Sequence, residues 1–196
     1  KVGHPAPNFT LTDAKGETVE LAKLTSDEKI VVLEWFNPDC PYVKKHHQHA
    51  TTMKDLANKY KGKDVVWLAV NSSHYADTDY NKKWAKKWSI DYPVLNDQSG
   101  EVGKLYQAKT TPHMYVINAK GTLVYAGAID NDRDVKPDQG EDYVNYVDQA
   151  LTQVTAGSEV IQSQSKPYGC SVKYGKAKKA DAGATDAHAA LACGGS

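Results

Sequence analysis

Apolar and polar positions along this chain follow two different periods, and the switches between them outline its elements. Phe9-Thr10-Leu11 and Val19-Glu20-Leu21 flank the polar turn Asp13-Ala14-Lys15-Gly16, which predicts a leading β-hairpin. Residues 30–36 are an apolar run after which turn-formers follow, too short for a helix and suited to a buried strand. From Val43 the apolar positions step by three and four through His46 or His47, Ala50, Met53, Leu56 or Ala57 and Tyr60, predicting one face of a long helix that ends at Lys61-Gly62-Lys63. Val65-Val66-Trp67-Leu68-Ala69-Val70 reads as a second central strand, so strand, helix and strand imply a parallel crossover. Tyr80, Trp84 and Trp88 recur every four residues between lysines, an amphipathic helix with its aromatics turned inward. Tyr92-Pro93-Val94-Leu95 is a short extended piece and residues 102–106 a short helix. Met114-Tyr115-Val116-Ile117 and Leu123-Val124-Tyr125-Ala126-Gly127-Ala128, joined through Asn118-Ala119-Lys120-Gly121, predict a second hairpin. Asp142 then leads into a closing helix carrying Val144, Val147, Leu151 and Val154.

Composition narrows the function classes. The 196 residues suit one core plus a tail, and 24 basic against 24 acidic side chains leave a formal charge of +0, which gives no electrostatic case for nucleic acid or an anionic membrane surface. No apolar run approaches the roughly 18 residues of a membrane span. The chain starts at Lys1 without Met, so the expectation is a processed protein, in an extracytoplasmic setting (periplasmic or secreted) after removal of a leader. Three cysteines (Cys40, Cys170 and Cys193) are too few for a disulfide scaffold, and an odd count leaves at least one thiol unpaired. Residues 1–175 read as the folded domain and 176–196, rich in Ala, Gly, Lys and Asp without apolar periodicity, as a low-complexity disordered tail holding Cys193 as a free thiol.

Cys40 carries the most chemistry. It follows the apolar run and the turn Asn37-Pro38-Asp39, and Pro41-Tyr42-Val43 opens a periodic segment, so the thiol sits at a helix N-terminus. Unpaired backbone N–H groups and the positive end of the helix dipole favour a thiolate there, which predicts a lowered pKa and a reactive sulfur. The competing reading is a small, inert cysteine packed behind a strand.

The order hairpin, β, α, β, α, hairpin, α is a thioredoxin-type arrangement, an α/β fold with a central mixed sheet flanked by helices. Asn37-Pro38-Asp39-Cys40-Pro41-Tyr42-Val43-Lys44, Thr111-Pro112-His113, the stretch from Leu123 through Asp130 to Arg133, and Gly169-Cys170-Ser171-Val172-Lys173-Tyr174 together resemble the peroxiredoxin-like branch of the redoxin family, related to thioredoxins and alkyl hydroperoxide reductases. The resemblance implies a cis-proline at Pro112, preceded by Thr111 and facing Cys40. It implies thiol attack by Cys40 on a disulfide or a peroxide, with Cys170 the internal candidate for resolving the oxidised sulfur. The partners it implies are a reducing thiol, a disulfide-bearing protein or a peroxide, and no cofactor. Asn37 stands where many members of that branch carry the first cysteine of a CxxC, and Leu33 and Asn37 stand where typical peroxiredoxins place Pro and Thr or Ser. The Asn37 amide is then a candidate donor toward the sulfur.

Other residues invite weighing. His113, next to Pro112, is expected near the sulfur as a cation or proton acceptor, with a structural histidine the equal alternative. His46, His47 and His49 raise a copper-type hypothesis, against which one core-facing and two solvated histidines is the plainer reading. Arg133 is a candidate cation for an anionic sulfur, and Lys44 reads as a surface lysine. Two function classes fit: a thiol-dependent oxidoreductase built on Cys40, or a binding module for copper or a client protein that keeps the fold without turnover, its Cys40–Cys170 disulfide structural or absent. Neither reading fixes an oligomeric state.

Overall fold

The computed structural model describes residues 1–176; the expected tail with Cys193 lies outside the described residues apart from Lys176. The leading hairpin forms from β1 (Thr10–Asp13) and β2 (Thr18–Glu20), with Thr10 opposite Glu20 and Thr12 opposite Thr18. Asp13 shapes its turn by accepting the N–H groups of Lys15 and Glu17 at 2.8 and 2.9 Å. The chain then enters α1 (Leu21–Ser26), a helix hidden in the pattern because Leu21 also completes the alternation of β2.

The central strands are β3 (Ile30–Trp35), β4 (Val65–Asn71) and β5 (Val94–Asn96), with β7 (Met114–Ile117) and β8 (Leu123–Gly127) completing the sheet. Its order is β2-β1-β5-β4-β3-β7-β8, with β3 parallel to β4, β4 parallel to β5, and β7 antiparallel to both β3 and β8. This is the mixed thioredoxin-like sheet. A separate two-stranded ladder joins β6 (Thr110–Thr111) to β9 (Cys170–Ser171).

Strand alternation divides the core. Val32, Phe36, Met114 and Val116 point to the face that also holds Cys40, while Val31, Leu33, Trp35, Tyr115 and Ile117 point to the other. The Cys40 face is covered by α2 (Pro41–Lys44), α3 (Thr52–Tyr60) and α6 (Tyr146–Thr155), through Val43, Met53, Leu56, Tyr60, Val147 and Leu151. The opposite face is covered by α1 and α5 (Glu101–Leu105) through Leu21 and Val102. Between β4 and β5 runs α4 (Thr78–Lys87), whose Asp77 side chain caps the Tyr80 N–H at 2.8 Å. Its aromatics turn inward only in part: Trp88 is buried, whereas Trp84 and Tyr80 are half-buried.

The single long helix expected from Val43 to Tyr60 is two helices. Beyond α2 the chain winds as a π-helical turn (Lys45–His49), closed by the Ala50 N–H on the Lys45 carbonyl at 2.7 Å, and Ala50 itself is extended at φ −132°. The π turn inserts a residue without breaking the apolar count, so the pattern reads through the break. Among the described residues no helix is long and apolar enough to cross a membrane.

Candidate active site

Cys40 ends the turn after β3 and is the N-cap of α2, with Pro41 at the helix start. Asn37 builds that turn: its Oδ1 accepts the Asp39 N–H at 2.9 Å and its carbonyl accepts the Cys40 N–H at 3.1 Å. The Asn37 amide expected to donate toward the sulfur instead donates to the Tyr75 hydroxyl at 2.9 Å. The Cys40 thiol is 2% exposed and donates to the Thr111 carbonyl at 3.1 Å. The Thr111–Pro112 peptide is cis, and the strand before it is occupied by the chain's own C-terminal segment, with Thr111 opposite Cys170 and Thr110 opposite Ser171.

This pairing brings two cysteines 130 positions apart in number to one point. Both are free thiols. Burial, then the hydrogen bond Cys170 gives to Cys40 and the charge of Cys40, push the Cys170 thiol up to about 11. Gly169 makes the approach possible: at φ +135° it lies so close to strand β6 that a Cβ would overlap the Thr111 carbonyl. The segment is held beyond Cys170 as well. The Val172 N–H donates to the Lys109 carbonyl at 3.1 Å, the Lys173 carbonyl accepts from the His74 N–H at 2.9 Å, and the Tyr174 hydroxyl donates to the Ala108 carbonyl at 2.8 Å.

His113 lies away from the sulfur, contrary to expectation. It shares the sheet face of Tyr115, on which it stacks at 4.6 Å, and its Nδ1 accepts the Lys109 N–H at 3.1 Å. Adjacency to Pro112 suggested the site; the period of two along β7 sends the ring to the other face. Burial, with a smaller push from Lys109, lowers its pKa to about 4. Of the three clustered histidines two are buried and one is exposed, where one buried and two solvated were expected. The π turn is the reason, since it carries both His46 and His47 inward. Arg133 does not serve the sulfur either; it donates to the Lys166 carbonyl at 3.1 Å and lies over the Tyr168 ring at 5.6 Å. Lys44 is half-buried on α2.

Two buried polar clusters escaped the sequence reading. In the first, the Lys45 ammonium bonds the Asp132 carboxylate at 3.0 Å, both side chains being 5% exposed or less, and the Tyr168 hydroxyl donates to Asp130. In the second, the Glu34 carboxylate on β3 accepts from Trp67 at 3.0 Å and Tyr92 at 2.8 Å, and pairs with His47 at 2.6 Å. Burial pushes the Glu34 carboxyl up, but the charge and hydrogen bond of His47 and the bonds from Trp67 and Tyr92 outweigh it and hold it below the usual range. A lone acid inside the run 30–36 was the available signal for Glu34. No local pattern connects Asp130 to Tyr168.

A cysteine-bearing turn at the end of β3, faced by a cis-proline leading into β7, defines a thioredoxin-fold redoxin. The family model of the AhpC/TSA family matches residues 2–126, and the chain belongs to that family. It is 30% identical over 125 residues to the thiol-disulfide oxidoreductase ResA of Bacillus thuringiensis, covering 63% of this chain and 68% of that one. It is 31% identical to the chloroplastic peroxiredoxin Q of Triticum aestivum, over 63% of this chain and 57% of that one. A solved structure of an uncharacterised conserved protein from Geobacillus kaustophilus superposes with a TM-score of 0.78 at 30% identity, covering 90% of this chain and 94% of that one. Membership of this family supports a thiol-dependent redox function for the chain. The family match ends at residue 126, before Asp130, Tyr168 and Cys170.

Proposed function

We propose that Cys40 and Cys170 form a working dithiol, assembled across the β6–β9 ladder, in which Cys40 attacks the substrate and Cys170 resolves it. The observation that carries this is the cross-strand register: Cys170 faces Thr111, whose carbonyl holds the Cys40 thiol. A relative named as a thiol-disulfide oxidoreductase supports a disulfide substrate. The Cys40 thiolate attacks one sulfur of the substrate disulfide, forming a mixed disulfide and releasing the other as a thiolate that takes up a proton. Cys170 then loses its proton, attacks the Cys40 sulfur and expels the second substrate thiol. The chain ends as the Cys40–Cys170 disulfide, and an external dithiol returns it to the start.

The order of attack follows from the electrostatics of the pair. While Cys40 is an anion its charge helps keep Cys170 protonated; once Cys40 is bonded that charge is gone, and Cys170 ionises more readily. A peroxide would use the same two sulfurs: Cys40 takes one oxygen as sulfenic acid, and Cys170 displaces it as water. An extracytoplasmic setting suits a chain that cycles through a disulfide.

Non-reducing mass spectrometry of the full chain, after exposure to a small disulfide and separately to hydrogen peroxide, tests the assignment. The parent protein should lose two hydrogens through a Cys40–Cys170 bond. Cys170→Ser should leave the first oxidation of Cys40 intact but accumulate mixed disulfide or over-oxidised sulfur. Turnover in Cys170→Ser equal to the parent's would return Cys170 to a packing role.

A further inference from the structure

Tyr168 stands two residues before Cys170 and is the most heavily anchored side chain of the C-terminal segment. Its ring is buried and packs edge-on against Tyr42 of α2 with centroids 5.9 Å apart. Its hydroxyl sits between two other elements, donating to Asp130 Oδ1 at 2.5 Å and meeting His46 Nε2 at 2.9 Å. A hydroxyl has one proton to give. With that proton on the Asp130 side, the hydrogen-bond network assigns His46 as the neutral ring that donates from Nε2 to the tyrosine oxygen, its Nδ1 accepting from the Thr52 hydroxyl at 3.1 Å. Burial keeps that ring neutral, its pKa lowered to about 3. The second Asp130 oxygen accepts from Tyr143 at 2.9 Å.

The consequence is mechanical. His46 follows directly in the helical segment that Cys40 caps, so the latch ties the strand of Cys170 to the helix of Cys40. Only Gly169 separates Tyr168 from Cys170, and it is pressed against the Thr111 carbonyl with no room for a Cβ. There is no slack between the latch and the thiol.

We propose that Tyr168 is a positioning residue for the Cys40–Cys170 pair: the Asp130–Tyr168–His46 latch fixes how closely Cys170 is presented to Cys40 and so sets the equilibrium between dithiol and disulfide. The inference rests on the pairing proposed above. The reaction it governs is the exchange of two protein thiols with a small disulfide, in which the protein forms one S–S bond and the small disulfide takes up two electrons and two protons to become two small thiols. Releasing the latch lets the segment move, lowers the effective concentration of Cys170 at Cys40, and favours the dithiol.

The test equilibrates the full chain in mixtures of a small thiol and its disulfide, with free thiols counted by alkylation and mass spectrometry. Tyr168→Phe keeps the ring and removes the hydroxyl; its equilibrium constant for disulfide formation should fall by about tenfold, the worth of a hydrogen bond to a charged group. Tyr60→Phe loses an equally short hydroxyl contact, to Asp148 at 2.5 Å on α6, and should leave the constant where it was. That contrast separates positioning from general loss of stability. Should Tyr168→Phe lose its cooperative unfolding, Asp130→Asn, which replaces the charged acceptor of the Tyr168 hydroxyl by a neutral one, reads the same constant and should shift it in the same direction. A constant for the folded latch variant equal to the parent's overturns the latch. The absence of any Cys40–Cys170 disulfide in the parent overturns the pairing, and this inference with it.

Discussion

Glu34 shows how a single charge can be carried on a central strand. Its side chain is 0% exposed, and taking a carboxylate out of water costs several kcal/mol unless partners replace the lost hydration. Three donors do so here, from β4, from the loop before β5 and from the π turn, so the carboxylate also pins three separate elements to β3. Glu34→Ala leaves the Trp67 and Tyr92 donors without an acceptor and His47 without its partner. The expected loss of stability is about 3–5 kcal/mol, the range for breaking a buried pair from one side. Glu34→Gln, which keeps an acceptor oxygen for Trp67 and Tyr92, should cost less than Glu34→Ala. Urea unfolding monitored by tryptophan fluorescence reads both, and equal losses would mean that packing volume, not the hydrogen bonds, holds this site.

At the scale of elements, the segment from Tyr168 to Tyr174 forms a strap over the Cys40 sulfur. It supplies two buried side chains, Tyr168 and Val172, that belong to opposite faces of the sheet, so it is clamped at both ends of Cys170. Truncating Val172 to Ala removes one clamp at a cost of about 2 kcal/mol. If that loss falls on the strap as a locally opening unit, alkylation of buried Cys40 should accelerate, and by more than that of Cys170, which is only half-buried when the strap is closed. Acceleration at Cys170 alone would show that something other than the strap shields Cys40. Much of this architecture was legible in the chain. β4 is a nearly continuous apolar run and β3 one interrupted only by Glu34, Cys40 sits at a turn with strong local chemistry, and the family resemblance placed Pro112. Less legible was whatever depends on a register or on a distant partner. The π turn hides inside a period that it does not interrupt, and β7 decides which face His113 takes. The latch joins Asp130 to Tyr168 across 38 positions with nothing local to announce it.

For the whole molecule, the buried ionisable groups fix how stability responds to acid. His113 and His46 are held neutral mainly by burial, with folded pKa values of about 4 and about 3 against 6.5 for a free histidine. As pH falls below 6.5 the unfolded chain takes up protons that the native protein refuses, so stability rises with pH across this window and is lost as pH drops through it. For His113 the full loss, reached near its folded pKa, is on the order of 3 kcal/mol. Glu34 adds to the decline at lower pH, since its carboxyl is held below 4.5 in the fold and its stabilisation disappears once it is protonated. Asp130 works against it: burial raises its pKa above 3.8, so the native protein accepts that proton first and gains relative stability as it does. Two histidines and one glutamate against one aspartate make acid destabilisation the net result, beginning below 6.5, before carboxylates titrate. His113→Asn can keep an acceptor for the Lys109 N–H while removing the titrating ring, so the slope of its urea midpoint against pH between about 4 and 6.5 should be shallower than the parent's. A parent midpoint that stays flat across that interval would show that His113 and His46 charge in the native state as freely as in the unfolded one.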